Sequence, residues 1–217
     1  MRHYTNVVPY TPKISPTLLI PLGFVVPDDK DGLGLMHANG HGVPRDEQQA
    51  VVWFRKAAEQ GLAGAQHNLG VMYANGQGIP KDEQQAVTWY RKAAEQGGAR
   101  AQNHLGAMYY NGHGVPKDEQ QAVAWYRKAA EQGDAGAQRI LGRKYAFGDG
   151  VPKDDQMAYF WLLLASAQGD QTAAERRDIA ERNLLPEQRA AAQASARNWK
   201  PKTAAQSSNV PGGSRLH

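Results

Sequence analysis

The 217-residue chain has no cysteine, which excludes a disulfide framework, a zinc knuckle and a thiol nucleophile. It has no apolar run long and clean enough for a membrane span. Neither sign of charge dominates: 25 Lys and Arg stand against 21 Asp and Glu, interleaved along the chain, for a net charge of +4. There is no basic run with interleaved aromatics, so no nucleic-acid partner is expected. Neither SxxK nor GxSxG nor HExxH occurs anywhere. The glycine-rich segments GHGVP and GQGIP are repeated turns rather than a phosphate loop. His37 and His41 stand four apart, as metal ligands on a helix would, but His41 lies beyond Asn39-Gly40 in a loop. The chain is therefore not expected to be an enzyme, and no cofactor or metal is expected.

What is present is periodic. Trp53, Trp89, Trp125 and Trp161 are spaced by one constant step of 36 residues. The same step carries Gly61 through Gly97 and Gly133 to Gly169, Gly34 through to Gly142, and Pro44 through to Pro152. So many matches in register mean tandem duplication. Each unit reads as two helices. In the second unit the first helix is AGAQHNLGVMYANG, with Ala65, Leu69, Met72 and Tyr73 on one apolar face. Asn75-Gly76 stops it, because these residues tolerate the left-handed conformation that ends a helix. Asp82 is expected to cap the second helix, EQQAVTWYRKAAEQ, with Gln85 as its capping-box partner. Ala86, Val87, Trp89, Tyr90, Ala93 and Ala94 should face inward, so the tryptophan stripe reads as core. Gly70, Ala93 and Ala94 allow close helix approach. A helix pair of this size cannot bury its apolar face alone, so the units must stack.

The ends break the pattern. In the fourth unit the expected RKAA is replaced by Leu163, Leu164, Ala165 and Ser166, preceded by Leu162. Three consecutive leucines need further cover, and the two helices split at Pro186 within 170–199 can supply it as a cap. The tail, 200–217, is polar, rich in Ser, Pro and Gly, and expected to be disordered. The first unit lacks the AxAQ start seen at Ala101 and Ala137, so its first helix should be short or frayed. Residues 1–26 are not repeat sequence; an altered gene start and an improvised cap are both open readings. Their apolar stretch Thr17–Val26 is interrupted by Pro21 and has a thin positive flank, so a working signal peptide is not expected. The compartment stays open, with the cytoplasm favoured over the periplasm or secretion.

The unit LGxMYxNGxGVPKDxxQAVxWYRKAAEQG closely resembles the Sel-one-like repeat family, a branch of the tetratricopeptide-like superfamily. The likeness covers four units within 27–169, the first incomplete, and RRDIAERNLLPEQRAAAQASARNW resembles the family's C-terminal cap. Two departures are His37, where other units have Tyr73 and Tyr109, and Leu185 before Pro186, where a Ser or Thr cap is usual. The resemblance implies an all-α fold, a right-handed α-solenoid of helix–turn–helix repeats, used as an adaptor for other proteins. Bacterial members are implicated in envelope assembly, host interaction and signalling. Cysteine-rich relatives linked to β-lactams suggest a β-lactamase-like or peptidoglycan-related enzyme as an alternative, against which the missing cysteines argue. A second alternative is an immunity partner of a secreted toxin.

The second and third units are nearly identical and differ mainly in their first helix, at Gly64/Arg100, His67/Asn103, Asn68/His104, Val71/Ala107 and Ala74/Tyr110. At about 100° per residue, positions 64, 67, 71 and 74 share a face opposite Leu69 and Tyr73. First helices are expected to line the concave surface, so the candidate partner site is His67, Val71, Arg100, Asn103, Ala107, Tyr110, Arg139 and Arg143. Its C-terminal half is basic, with Lys144 adjacent, which suits an acidic or extended peptide. Neutral drift on a solvated face accounts for the same substitutions equally well. The expected partner is a protein or peptide, an acidic one suiting the basic half of the face, and the chain is expected to be a monomer.

Overall fold

The computed structural model describes residues 30–207. They form eleven helices and no strand. Four pairs follow one another: α1 (Lys30–Asn39) with α2 (Glu47–Glu59), α3 (Ala63–Asn75) with α4 (Glu83–Glu95), α5 (Ala99–Asn111) with α6 (Glu119–Glu131), and α7 (Ala135–Phe147) with α8 (Asp155–Ala167). Then come α9 (Gln171–Arg182), α10 (Pro186–Asn198) and a single turn, α11 (Ala204–Ser207). Among the described residues no helix is long and apolar enough to cross a membrane.

The helix boundaries follow local chemistry. Gly76, Gly112 and Gly148 close α3, α5 and α7 with φ of 70°, 72° and 75°, the left-handed conformation that glycine adopts without strain. Asp46, Asp82, Asp118 and Asp154 cap the second helices, each accepting a backbone N–H three residues on at 2.9–3.0 Å. The Asp82 N–H itself donates to the Tyr73 carbonyl at 2.9 Å. The inter-helix turn thus takes the place that Gln85 would have filled in a capping box. The first helix, α1, runs to Asn39 from Lys30, where the described residues begin, so the short start expected of the first unit falls at their edge. Residues 1–29, including the stretch 1–26 discussed above, lie outside the described residues.

Within a pair, a ring or branched side chain of the second helix lies on a glycine of the first: Phe54 on Gly34, Tyr90 on Gly70, Tyr126 on Gly106, Leu162 on Gly142. A Cβ at Gly70 would stand 2.7 Å from the Tyr90 ring, too close to fit. Between pairs, the core is made jointly. Ala86, Val87, Tyr90, Ala93 and Ala94 of α4 are buried with Ala101, Leu105 and Met108 of α5, and the clusters on either side repeat this plan. Each unit therefore completes its core only when the next unit arrives, which is why the fold is an array.

Polar links repeat with the same step. Buried Gln66, Gln102 and Gln138 each donate to a carbonyl near the end of the preceding helix at 3.0–3.1 Å. Each also accepts from the glutamine that ends the following helix, Gln96, Gln132 or Gln168, at 2.7–2.8 Å. Arg55, Arg91 and Arg127 donate to the hydroxyls of Tyr73, Tyr109 and Tyr145 in the next unit at 3.1, 2.9 and 2.7 Å.

The tryptophan stripe differs from its expected role as core. Trp53, Trp89 and Trp125 are only half-buried, and Lys56, Lys92 and Lys128 sit over their rings at 4.1–4.6 Å. Trp161 is buried, in a cluster to which Ala196 and Trp199 are added. At this end α9 and α10 both pack on α8. Pro186 opens α10, and Gln188 Oε1 accepts from the Leu185 N–H at 3.0 Å, so the helix is capped without a Ser or Thr.

Beyond α10 the chain turns back. Of the tail expected to be disordered, residues up to Ser207 are placed; 208–217 lie outside the described residues. The Lys202 N–H donates to the Glu131 carbonyl at 2.8 Å, and its ammonium meets the Glu131 carboxylate at 2.9 Å. Pro201 lies beside Gly133, at the end of α6, and Ala204 beside Gly97, at the end of α4. The end of a helix leaves carbonyls without partners, and the strap 199–204 supplies one.

A candidate partner-binding face on the first helices

Helices α3, α5 and α7 each bury one stripe, and the eight candidate residues stand away from it. None of the eight is among the buried residues. Val71 and Ala107 are half-buried and pack at the edge of the shared cores. Arg100 is exposed in the first turn of α5. It borders a shallow pocket of about 400 Å³ that includes Gly64, His67, Asn68 and Gly98.

The structure joins two of the eight to partners absent from the sequence reading. Asn103 donates to Asp134 at 2.8 Å, and Arg139 donates to Asp170 at 2.8 Å. Both aspartates also cap the next helix, accepting from the N–H of Ala137 and of Ala173 at 2.8 Å. Arg139 is consequently a neutralised link between the fourth unit and the start of α9. The equivalent position before α5 is Gly98, and α5 has no side-chain cap.

His67 lies against two other rings, 5.1 Å from His104 and 5.9 Å from Tyr90. Its Nδ1 is 3.3 Å from Asn68 Oδ1, while its Nε2 is buried with no hydrogen-bond partner. Burial holds the imidazole down to about 4, and the positive charge that His104 and Arg100 would place beside it acts in the same direction. Burial also lowers His104, against the pull of Asp134, although the residue as a whole is exposed. Tyr126, under the next unit, is pushed up to about 12, chiefly by burial.

Tyr110 is the centre of a cationic cluster, with Lys144 at 4.3 Å and Lys117 and Arg143 at 5.6 Å from its ring centre. Lys117 is paired with Glu119 at 2.8 Å. Lys144 is not part of an open basic surface. It is fully buried, at the position held by Met72 and Met108, and its ammonium has the Asp149 carbonyl at 3.4 Å and the Tyr110 ring. Burial lowers its pKa, opposed by Asp149 and Tyr110. Of the candidate cations, Arg100 and Arg143 have no carboxylate partner among the described residues.

The repeat plan on which this face is built has a family. The Sel1 repeat model matches residues 32–62, 63–98, 99–134 and 135–170. The chain belongs to the Sel1 repeat family. Its Sel1 repeats are shared with two bacterial proteins of known structure. A protective antigen of uropathogenic Escherichia coli displaying an SLR fold is 39% identical with a TM-score of 0.73, covering 83% of this chain and 39% of its own. A Sel1 repeat protein from Oxalobacter formigenes is 40% identical with a TM-score of 0.62, covering 69% of this chain and 64% of its own. This chain thus spans less than two thirds of either. An immunity protein from Pseudomonas aeruginosa is 24% identical over 68% of this chain and 67% of its own, at a TM-score of 0.39, too low to carry an argument. No match is found among curated proteins.

The Sel1 repeats carry functional candidates that periodicity alone missed. Asp134 and Asp170 occupy the place of Gly98 in successive units, so aligning the units would have shown them. The burial of Lys144 was legible the same way, since it stands where Met72 and Met108 stand.

Proposed function

We propose that this chain is a protein-interaction scaffold, and that the outward face of α3, α5 and α7 holds a segment of polypeptide. One observation carries the reading. Two units that are otherwise nearly identical keep the buried stripe of their first helix, Ala65, Leu69 and Met72 against Ala101, Leu105 and Met108, and change the half-buried stripe beside it, which is exposed at Gly64, Arg100 and His104. Packing constrains the first stripe, whereas variety on the second is what recognition of an asymmetric guest requires. Repeat folds host many functions, so the face and not the fold supports the proposal.

The test is selection from a random peptide display library on pure protein, with a counter-screen against Ala107→Glu and Tyr110→Glu. Binders that either variant releases, while circular dichroism shows both folded, are the expected result. Binders indifferent to both variants would move the site elsewhere. Arg139 is unsuited to this purpose, because reversing its charge would set a carboxylate against Asp170 and loosen the link to α9 itself.

A further inference from the structure

The chemistry of the guest can be taken a step further, on the reading that this face binds polypeptide. Helices α3, α5 and α7 contain no Asp or Glu, while each second helix carries acidic residues. Carboxylates do reach the face from outside those helices: Asp134 is taken up by Asn103 and Asp170 by Arg139, Asp31 accepts from Asn68 at 3.3 Å, and the Asp149 charge acts on Lys144 and Lys117. Two cations are left with no such partner, Arg100 in the first turn of α5 and Arg143 in the middle of α7. Tyr110 lies beside Arg143, and the shallow pocket lies beside Arg100.

We propose that the guest is an acidic, extended segment held by two carboxylates, one at Arg100 and one at Arg143, lying across Tyr110. The first carboxylate would take the place that Asp134 and Asp170 hold in the following units. The backbone at Gly98 is already set for it: φ −65° and ψ 105°, against −65° and 110° at Asp134. The N–H of Ala101, which corresponds to the bonded N–H of Ala137, is a free donor at the helix start. A nucleic acid fits this face less well. Such partners engage many phosphates through many cations, whereas among the described residues Arg100 and Arg143 are the candidate cations of this face without a carboxylate partner, Lys144 being buried.

Gly98→Asp supplies the experiment. It should place an internal carboxylate at the helix start, raise the melting temperature and exclude the guest's own carboxylate. The measurement is fluorescence anisotropy with a labelled peptide of alternating Glu and Ala, its Gln-Ala counterpart and a single-stranded oligothymidylate. The Glu peptide is expected to bind about tenfold or more tightly than the Gln peptide, with the difference shrinking in salt. Gly98→Asp and Arg143→Glu are each expected to weaken it about tenfold. Equal affinity for the two peptides, affinity unchanged in both variants, or tighter binding of the oligothymidylate would each overturn the acidic guest. The display experiment keeps the outcomes separate. Neutral peptides released by Tyr110→Glu would leave the face standing as a polypeptide site and remove only its preference for acid.

Discussion

The middle units and the fourth solve the same packing problem with opposite chemistry. In the second and third units, the exposed side of the tryptophan is covered by a lysine of its own helix, and the neighbouring arginine reaches a tyrosine hydroxyl in the next unit. In the fourth unit those two positions are Leu164 and Leu163, and the tryptophan is buried under α10. A face that meets solvent is closed by an amphipathic side chain whose stem covers the ring and whose charge stays wet. A face that meets another helix is closed by hydrocarbon. The difference teaches where the array ends: the unit that gives up its lysine and arginine is the one that expects a cap.

That contrast can be broken in several places. The largest effect is expected for Trp161→Ala, at about 3–5 kcal/mol in urea unfolding. Trp125→Ala should cost roughly half as much, since its ring is only half-buried. Equal losses would mean that the cap contributes nothing to burial. Next, Leu164→Lys restores the residue of the other units and puts an ammonium beneath α10, at a cost of about 2–3 kcal/mol. The reciprocal Lys128→Leu should change stability by no more than about 0.5 kcal/mol. Lys144→Met moves the fourth unit towards the others in a different layer. Replacing a buried ammonium with a thioether should raise the urea midpoint, by about 1 kcal/mol in stability. Tyr109→Phe deletes one inter-unit hydrogen bond to Arg91 and should lower stability by about 1 kcal/mol.

The subtlest comparison is made by pH, between the second unit's His67 and the third unit's Asn103. Folding lowers His67 from 6.5 to about 4, so unfolding takes up a proton. The stability it confers is complete above pH 6.5 and is lost as pH falls from there towards 4. Urea midpoints at successive pH values should show this slope in the wild type and a shallower one in His67→Asn. Parallel curves would show that the imidazole is not held neutral by its setting among His104, Tyr90, Arg100 and Asn68.

Much of the architecture was legible from one chain. The glycine stops, the aspartate caps and the apolar stripe of each first helix follow from local rules, because they depend on residues within a few positions of each other. The links between units were not legible in this way. Gln66 with Gln96, and Asn103 with Asp134, stand 30 and 31 residues apart. No helical periodicity points across such a gap. The candidate site suffered for the same reason. An angular argument on one helix placed Arg139 and Arg143 on one basic stripe, but only the neighbouring unit shows that Arg139 is already paired. Lys144 was assigned by its proximity along the helix to that stripe, whereas its depth is set by the layer that Met72 and Met108 define.

The returning segment from Trp199 to Ala204 has a bearing on how the molecule comes apart. A linear array can fray from either end, one unit at a time, because each unit touches only the next. Here the end of α10 is tied to the end of α6 and reaches the end of α4, so the stretch from α4 onward is a closed circuit rather than an open row. Opening the cap then requires releasing two units behind it, and the last three units should melt as one block while the first melts by itself.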